Sequence, residues 1–247
     1  DGEFASYSNY LMRLSSDIHY LEEQNNLNVN SVDGKKEIEY RKRLELNNAI
    51  RDAYVNKLAR QSKIKIGDKE IDNFIDKELK DKKLSKEAYE KTVLNSFYGW
   101  SMGEYRSVVR AELLKREVSF AIDKTAKEKI EQINVRLVAG GDFATIAKEL
   151  SDDLATRDLG GVVGAVPLDN HDPSGVIAAL KNLEIGKTTG VIRGVDGYYI
   201  AKLTSKDDTS VQYSVIKASL AQFNNNLQSL KDSGKVKEYI EVKSIAP

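Results

Sequence analysis

Apolar residues recur at steps of three and four along the first half of the chain, the spacing that places them on one face of a helix. The pattern predicts a helix over Tyr7–Leu21 and, after a break at Asp33-Gly34, a long charged helix from about Lys36 to Ser62. Ser101 and Glu104 have the spacing of a capping box, which predicts the start of another helix. The first half of the chain is therefore predicted to be helical.

Shorter helices are expected between and after these. Asp68 and Ser85 are candidate N-caps of two of them, and Gly99 is suited to end the second because glycine tolerates the left-handed conformation of a C-cap. The helix that follows the capping box is predicted to reach Ile122, and the helical spacing then continues over residues 124–138.

The pattern changes after Gly140, where glycines and β-branched residues become frequent and the apolar runs become short. Such runs predict strands, here at 191–192, 198–203, 211–216 and 236–240, with one more helix between the last two. The boundary between the two halves is predicted near Asp123–Lys127.

Composition narrows the function classes. The 247 residues include 38 basic and 38 acidic side chains, no Cys and only two His. A chain without net positive charge does not fit a strongly basic nucleic-acid binder, and neither a metal site nor a cofactor site is expected. No apolar run is long enough for a membrane span. The chain begins with Asp1 and not Met, so a removed N-terminal signal or anchor is a hypothesis.

Five short motifs in the second half occur in the order found in parvulins, a family of peptidyl-prolyl isomerases. Gly140–Ala147 is similar to the family's G-x-D-F-x-x-L-A segment and Ser151–Asp153 to its S-x-D segment. Gly160–Gly164 stands where the family has G-G-D-L-G, Gly186 where it has a turn, and Gly197–Leu203 where it has its last strand. The resemblance implies a small antiparallel sheet with flanking helices.

Two upstream segments, Ile64–Asp72 and Phe97–Arg106, resemble elements of SurA-type chaperone domains. Together the resemblances imply the extracytoplasmic foldase group that includes SurA, PrsA and PpiD. The predicted fold class is α+β, with a helical chaperone domain over residues 1–123 and a parvulin-like domain over residues 124–247. The implied partners are unfolded or exported polypeptides, and the implied location is the periplasm or cell surface.

Parvulins catalyse rotation about the X–Pro amide with two histidines, a Cys or Asp, and an apolar pocket for the proline ring. Asp153 matches the family's acidic position, although a capping role in its loop is the more ordinary explanation. Tyr199 stands at the place of the second histidine. The residues at three pocket positions also differ from those of the family: they are Val163, Asp172 and Val176.

The first histidine of the family lies on a central strand that precedes the first helix. Ser119–Ile122 occupies that place but is followed at once by predicted helix, with no turn between them. A better match is Val211–Lys217, near the other end of the domain, with Val215 at the histidine position. This favours a permuted parvulin whose central strand is contributed by residues 211–217, a hypothesis that requires this segment to pair with Tyr198–Leu203.

The two histidines have simpler explanations than catalysis. His171 lies in a turn-forming string and is expected to be exposed, and His19 is expected at the surface or an interface of the first helix. Trp100 and its aromatic neighbours could contact a client peptide, but packing between helices is the more common role of a single Trp.

The sequence leaves two main functions open. One is a chaperone with a catalytically silent parvulin-like lobe, which the replaced histidines favour. The other is an active peptidyl-prolyl isomerase with a nonstandard site that uses Asp153 and Tyr199 as catalytic residues, with Val163, Asp172, Val176 and Val215 in contact with substrate. An assembly factor for one partner is a third possibility.

Overall fold

Helices fill the first half of the chain in the computed structural model, which describes residues 2–240 and 242. The chain forms two compact units, one of residues 119–225 and the other of the residues before and after them. The predicted α+β class, with a helical lobe and a parvulin-like lobe, is confirmed. The compact units divide after Val118, and the residues from Asn226 group with the helices. The domain boundary after residue 123 stays a prediction.

Before residue 119, the described part of the helical unit contains five helical segments and most of a sixth, which leads into the other unit. They are α1 (Tyr7–Glu23), α2 (Val32–Ser62), α3 (Asp68–Lys82), the short α4 (Lys86–Tyr89), a π-helical stretch (Glu90–Tyr98) and α5 (Met102–Ile122). Ser101 and Glu104 form the predicted capping box: the Glu104 carboxylate accepts the Ser101 backbone N–H at 2.8 Å, and the Ser101 hydroxyl accepts from the Glu104 backbone at 3.3 Å.

Two predicted helix starts are wrong by a few residues. Gly34 does not break α2 but lies in its first turn, where a Cβ would be 2.1 Å from the Asn28 carbonyl oxygen, so only glycine fits. Ser31 is the actual N-cap, and its hydroxyl accepts from the Gly34 backbone at 3.0 Å. The N-cap of α3 is Gly67 and not Asp68, because the Glu70 carboxylate accepts the Gly67 N–H.

The predicted strand at 236–240 is also wrong. Within the described part of the chain this segment has no strand partner, and it lies in the helical unit. Ile240 and Val242 pack against the cluster of apolar side chains between α1 and α2, while Glu238 pairs with Arg43 at 2.7 Å. The β-branched side chains that suggested a strand are used for packing on helices.

Trp100 takes the structural role that its sequence context favoured. It packs against the apolar core that α3, α4 and α5 share, and its ring stacks on Tyr98 with 5.1 Å between ring centroids.

The second unit combines a four-stranded antiparallel sheet with helices. Its elements are α6 (Lys124–Val138), α7 (Phe143–Leu150), a 3-10 turn (Arg157–Leu159), β1 (Val162–Pro167), α8 (Val176–Leu180), β2 (Ile192–Arg193), β3 (Gly197–Lys206) and β4 (Ser210–Ser219). Helix α9 (Gln222–Asp232) follows the sheet. The sequence analysis missed β1 and α8, both of which are short.

The strand order is β1-β4-β3-β2, so the last strand in sequence is an interior strand of the sheet. Residues 211–217 pair with β3 along most of its length, with Ala201 opposite Val215 and Tyr199 opposite Lys217. The pairing that the permutation hypothesis requires is therefore present. Ser119–Ile122, in the place of the family's first strand, is the last turn of α5.

The two faces of the sheet have different partners. On the first, Tyr198, Ile200, Ile216 and Ala218 pack against apolar side chains of α6 and α7; we call it the helix-packed face. On the second, strand residues pack around Val176 and Leu180 of α8; we call it the α8 face. The strand residues of the α8 face are Val163, Ile192, Tyr199, Ala201, Leu203, Val211, Tyr213 and Val215.

A glycine pair fixes the entry into β1. Gly160 and Gly161 both have positive φ, +70° and +83°. A Cβ on Gly160 would be 2.7 Å from Ala144 Cβ, and one on Gly161 would be 2.5 Å from the Val215 carbonyl oxygen. Only glycine allows both the left-handed conformation and this close approach, so the motif brings the Asp153 loop against β4.

A buried carboxylate, that of Asp123, joins the start of α6 to the segment that follows the sheet. Asp123 is 3% exposed and caps α6 by accepting the Ala126 N–H at 2.9 Å. Its other oxygen accepts the backbone N–H groups of Ala221 and Gln222, at 2.8 and 2.9 Å, where α9 begins. One side chain thus satisfies the first N–H groups of two helices, which would otherwise lack partners.

Candidate functional site

The predicted site residues converge on the α8 face although they come from distant parts of the sequence. Val163, Val176, Tyr199 and Val215 belong to one apolar cluster. The carboxylates of Asp153 and Asp172 lie close enough to this cluster to raise the pKa of Tyr199, after the larger effects of burial and of Asp196. The antiparallel sheet brings them together, because β4 places Val215 directly beside Ala201 of β3.

The three predicted apolar residues differ in exposure. Val163 is half-buried, whereas Val176 is only 1% exposed and Val215 7% exposed. Val176 and Val215 therefore form the floor of the α8 face, and Val163 borders its accessible surface. Contact of all three with substrate stays a prediction.

Asp172 holds the loop before α8. Its Oδ1 accepts the Ser174 backbone N–H at 2.9 Å, and its Oδ2 accepts the Ile177 N–H at 2.7 Å. The Ser174 hydroxyl also donates to Oδ1. Both carboxylate oxygens are occupied by local backbone donors, and the bond to Ser174 has the i to i+2 spacing of an Asx turn.

Asp153 occupies a similar capping position in the loop after α7. Its Oδ2 accepts the Thr156 hydroxyl at 2.6 Å and its Oδ1 accepts the Ala155 backbone N–H at 3.3 Å. The side chain is partly exposed, and its negative charge raises the pKa of Tyr213. The capping role weighed from the sequence is thus observed in the geometry.

Tyr199 forms a network with two residues that the sequence analysis did not single out. Its hydroxyl donates to Asp196 Oδ1, while Lys217 Nζ donates to Asp196 Oδ2 at 2.6 Å. Lys217 Nζ also lies 5.5 Å from the centre of the Tyr199 ring. Partial burial alone would raise the pKa of Asp196, but the hydrogen bonds from Lys217 and Tyr199 outweigh it and lower that pKa. The proton of the Tyr199 hydroxyl is thus committed to an internal partner.

Tyr213 is a second tyrosine on the same face that the sequence analysis missed. It lies on β4 with Val163 opposite it on β1 and Leu203 opposite it on β3. Partial burial raises the pKa of Tyr213, and the negative charges of Asp172 and Asp153 raise it further. The signal was present as alternation of apolar and aromatic residues at Val211, Tyr213 and Val215, which places them on one face of a strand.

Neither histidine takes part in this site. His171 is exposed in the loop between β1 and α8, as the sequence predicts. His19 belongs to the helical unit, where its Nε2 lies 3.2 Å from the Ser96 carbonyl oxygen and its ring contacts Gly99. Among residues 2–240 and 242, no group of three or more acidic or histidine side chains has the arrangement of a metal site.

The arrangement offers an apolar floor, two tyrosines and a negatively charged border. The hydrogen-bonding capacity of Asp153, Asp172 and Tyr199 is largely used within the protein. Such a surface can accommodate an apolar ring and hydrogen-bond a peptide. It has no imidazole at either of the two positions matched to the family's histidines.

Comparison with known proteins places a family domain over this region. Residues 113–205 match the family model described as "Rotamase: PPIC-type PPIASE domain". The match begins within α5 and ends in β3, so β4 lies outside it. The recognition of a parvulin-type domain from the sequence motifs is thereby confirmed.

Curated relatives carry the same family resemblance. The chain is similar to the foldase protein PrsA of Clostridium kluyveri, with 31% identity over 129 residues that cover 51% of this chain and 37% of the relative. Foldase protein PrsA of Clostridium botulinum is 32% identical over 135 residues, which cover 49% of this chain and 40% of the relative. The chain therefore spans about two fifths of the length of these relatives.

Two solved structures were also found by comparison of folds. The foldase protein PrsA of Streptococcus pneumoniae has 18% identity and a TM-score of 0.24, over 76% of this chain and 72% of the other. The peptidylprolyl isomerase PrsA of Bacillus anthracis has 19% identity and a TM-score of 0.25, over 76% and 86%. These superpositions are too loose to be used further. No helix in the described part of this chain combines the length and apolar character needed to cross a bilayer.

Proposed function

With a PPIC-type rotamase domain over residues 113–205, we propose that this chain is a foldase that binds unfolded or exported polypeptides outside the cytoplasm. The observation that carries the proposal is the convergence of Val163, Tyr199 and Asp153 at the α8 face. These three residues belong to motifs that follow one another along the sequence in the order found in the family. The printed names of the relatives, which are foldase proteins, support the same class.

The sheet unit is proposed to bind prolyl segments and to accelerate their isomerisation weakly or not at all. Rotation about the amide faces a barrier of about 18–20 kcal/mol, and an enzyme must stabilise the twisted amide more than the planar one. Val215 supplies no polar group at one histidine position, and Tyr199 at the other has its proton engaged by Asp196. Binding without efficient catalysis is the expected outcome.

The second candidate is an active isomerase with a nonstandard site. Two tyrosines and two carboxylates beside an apolar floor favour it, because desolvated polar groups can act on a twisted amide. In that case Asp153 and Tyr199 would be the catalytic residues, with Val163, Asp172, Val176 and Val215 shaping the substrate site.

The permuted strand is part of the proposal. Residues 211–217 are proposed to supply the central strand that in the family precedes the first helix, within a parvulin-like domain over residues 124–247. Two observations support it: the interior position of β4 in the sheet, and the helical conformation of residues 119–122.

The chaperone domain is proposed to span residues 1–123, most of which lie in the helical unit. Large apolar side chains stand exposed on it: Phe4 is 84% exposed, Phe97 41% and Tyr98 40%. Exposed apolar side chains of this kind can contact unfolded chains weakly and without selectivity.

The test combines two assays on the same preparation. Aggregation of a chemically unfolded protein is followed on dilution with and without the chain, and isomerisation of blocked X-Pro tetrapeptides is followed by exchange NMR. We expect aggregation to be suppressed at near-stoichiometric amounts and isomerisation to stay within a few-fold of the thermal rate. Asp153→Ala and Tyr199→Phe serve as paired variants.

Each alternative outcome has a distinct meaning. Strong isomerisation that either variant abolishes would establish the second candidate. If the chain neither suppressed aggregation nor accelerated isomerisation relative to buffer alone, the foldase proposal itself would be contradicted. Phe97→Ser tests whether the helical unit contributes to the suppression of aggregation. Asn73→Ser, which replaces an exposed polar side chain of the same unit, is its matched control.

A further inference from the structure

Tyr213 stands at the middle of the α8 face. Its partners in strand register are Val163 on one side and Leu203 on the other, so it lies beside the predicted apolar pocket residue that is not part of the buried floor. The side chain is half-buried, and it belongs to the same apolar cluster as Tyr199.

The hydroxyl of Tyr213 differs from the neighbouring polar groups in having no internal partner. Among residues 2–240 and 242, no hydrogen bond joins it to another group, and its oxygen is not one of the enclosed, unpartnered polar atoms. It therefore remains accessible from the α8 face with its proton available to donate.

The neighbouring donors are directed to the Asp196 carboxylate, although the Lys217 ammonium group keeps further N–H groups. Tyr199 donates to Asp196, and Lys217 donates to the second oxygen of the same carboxylate. The carboxylates of Asp153 and Asp172 accept hydrogen bonds and do not donate them when ionised. An incoming peptide carbonyl, which needs a donor, thus finds one uncommitted tyrosine hydroxyl on this face.

We propose that Tyr213 binds the peptide through a hydrogen bond. Its hydroxyl group donates to the backbone carbonyl oxygen of the residue that precedes proline, and the proline ring lies against Val163. This inference rests on the proposed function. It assigns the binding contact to Tyr213, and not to Tyr199, which the family alignment selects.

The Tyr213 hydrogen bond is assigned to peptide binding and not to acceleration of isomerisation. A carbonyl oxygen is the stronger acceptor in the planar amide, where resonance places negative charge on it. A donor to that oxygen therefore stabilises the bound ground state at least as well as the twisted state, which affects affinity without raising the rate of the bound complex.

The experiment uses the full chain, with its tyrosines labelled with ¹³C at Cζ, and a blocked Ala-Ala-Pro-Phe tetrapeptide as the probe. Peptide affinity is measured by NMR titration of wild type, Tyr213→Phe, Tyr199→Phe and Tyr239→Phe. Tyr239 is 83% exposed in the helical unit and serves as the control. The Cζ resonance of Tyr213 is assigned by its loss in Tyr213→Phe.

We expect Tyr213→Phe to weaken peptide binding by about three- to tenfold, the effect of one neutral hydrogen bond. Tyr199→Phe is expected to have a smaller effect, and Tyr239→Phe none. The Tyr213 Cζ resonance should shift on peptide addition, and any residual isomerisation rate at saturating peptide should be the same in Tyr213→Phe and wild type.

Two results would overturn the inference and are distinguishable. Wild-type affinity in Tyr213→Phe with an unmoved Cζ resonance would reject the role of Tyr213 and leave the proposed function standing. No detectable binding of prolyl peptides by the wild type would reject both. A Tyr213→Leu variant separates loss of the ring from loss of the hydroxyl, because only the former should disturb the resonances of Val163 and Leu203.

Discussion

The two faces of the four-stranded sheet differ in what their side chains contact. On the helix-packed face, Ile200, Ile216 and Ala218 are fully buried against α6 and α7. On the α8 face, Tyr199 and Tyr213 are only half-buried, and three aspartates, Asp153, Asp172 and Asp196, lie close to the two tyrosines. The same two strands thus contribute to a closed core on one side and, on the other, to a buried apolar floor with a partly exposed polar border.

This difference separates stability from function along single strands. Successive residues of a strand point to opposite faces, so Ile216 and Val215 are neighbours in sequence but serve different surfaces. Substitutions on the helix-packed face should mainly change the free energy of unfolding, and substitutions of accessible residues on the α8 face should mainly change peptide binding. Three predictions test this separation.

The largest effect is expected from Ile216→Ala on the helix-packed face. Ile216 is 0% exposed, and truncation of a buried Ile leaves a cavity that costs about 2–5 kcal/mol. Hydrogen exchange followed by mass spectrometry should show faster exchange throughout β3 and β4. Fluorescence of Trp100 should change little, because that side chain belongs to the helical unit.

Ile216→Val provides the matched control, with an expected loss of about 0.5–1.5 kcal/mol. If Ile216→Ala left the exchange of β3 and β4 unchanged, the helix-packed face would not be the stabilising core described here.

An intermediate effect is expected from Asp172→Ala. This change removes the acceptor for the Ser174 and Ile177 backbone N–H groups, and a donor left without its acceptor costs about 1–3 kcal/mol when it is buried. The melting temperature and the peptide affinity should both fall, because the loop before α8 loses the side chain that holds it.

Asp172→Asn distinguishes a structural role from an electrostatic one. Asn keeps only one acceptor oxygen, so it can restore the hydrogen bond to one of the two backbone N–H groups and should recover part of the stability and part of the peptide binding. Recovery of stability without recovery of binding would instead show that the charge of Asp172 acts on the peptide.

The smallest effect concerns the pH dependence contributed by Asp196. Its pKa is lowered in the folded protein by Lys217 and Tyr199, against the opposing effect of burial. The unfolded chain therefore binds this proton more tightly, so the stabilisation is complete above the ordinary carboxyl pKa of about 4. It is lost as the pH falls through the lower, folded value.

The measurement is the melting temperature of wild type and Asp196→Asn from pH 7 down to pH 3. Because Asp196 is exposed, its ion pair should contribute at most about 1 kcal/mol, which corresponds to roughly 2–4 °C. The difference between the two proteins should shrink at the acidic end. A difference that grows on acidification would contradict the direction of the pKa shift.

Local patterns were sufficient for most helices and for the motifs of the sheet unit. The capping box at Ser101 and Glu104 and the helical spacing after Asp123 correctly placed α5 and α6. Such features depend on residues within one or two turns of each other. Gly34 misled the sequence analysis because its role is a close approach to the Asn28 carbonyl, a contact that no periodicity reveals.

The site was predicted in part. Motif order identified Asp153, Tyr199 and Val163, and the structure brings them to one face. Tyr213, Asp196 and Lys217 were missed because none of them stands at a position to which the family resemblance assigns a role, although Tyr213 and Lys217 lie within the matched segment. Their relation to Tyr199 arises from strand register and from a side chain that reaches across it.

By itself, the sequence determined the α+β class, the parvulin-type motifs and the absence of histidine from the two positions matched to the family's histidines. These are matters of residue identity and local spacing. Only the tertiary structure decided the register that sets Tyr213 between Val163 and Leu203, that Val176 and Val215 are buried, and that the proton of Tyr199 is committed to Asp196. The reason is physical: pairing and burial depend on contacts between residues far apart in the chain, which the spacing of side chains along it does not encode.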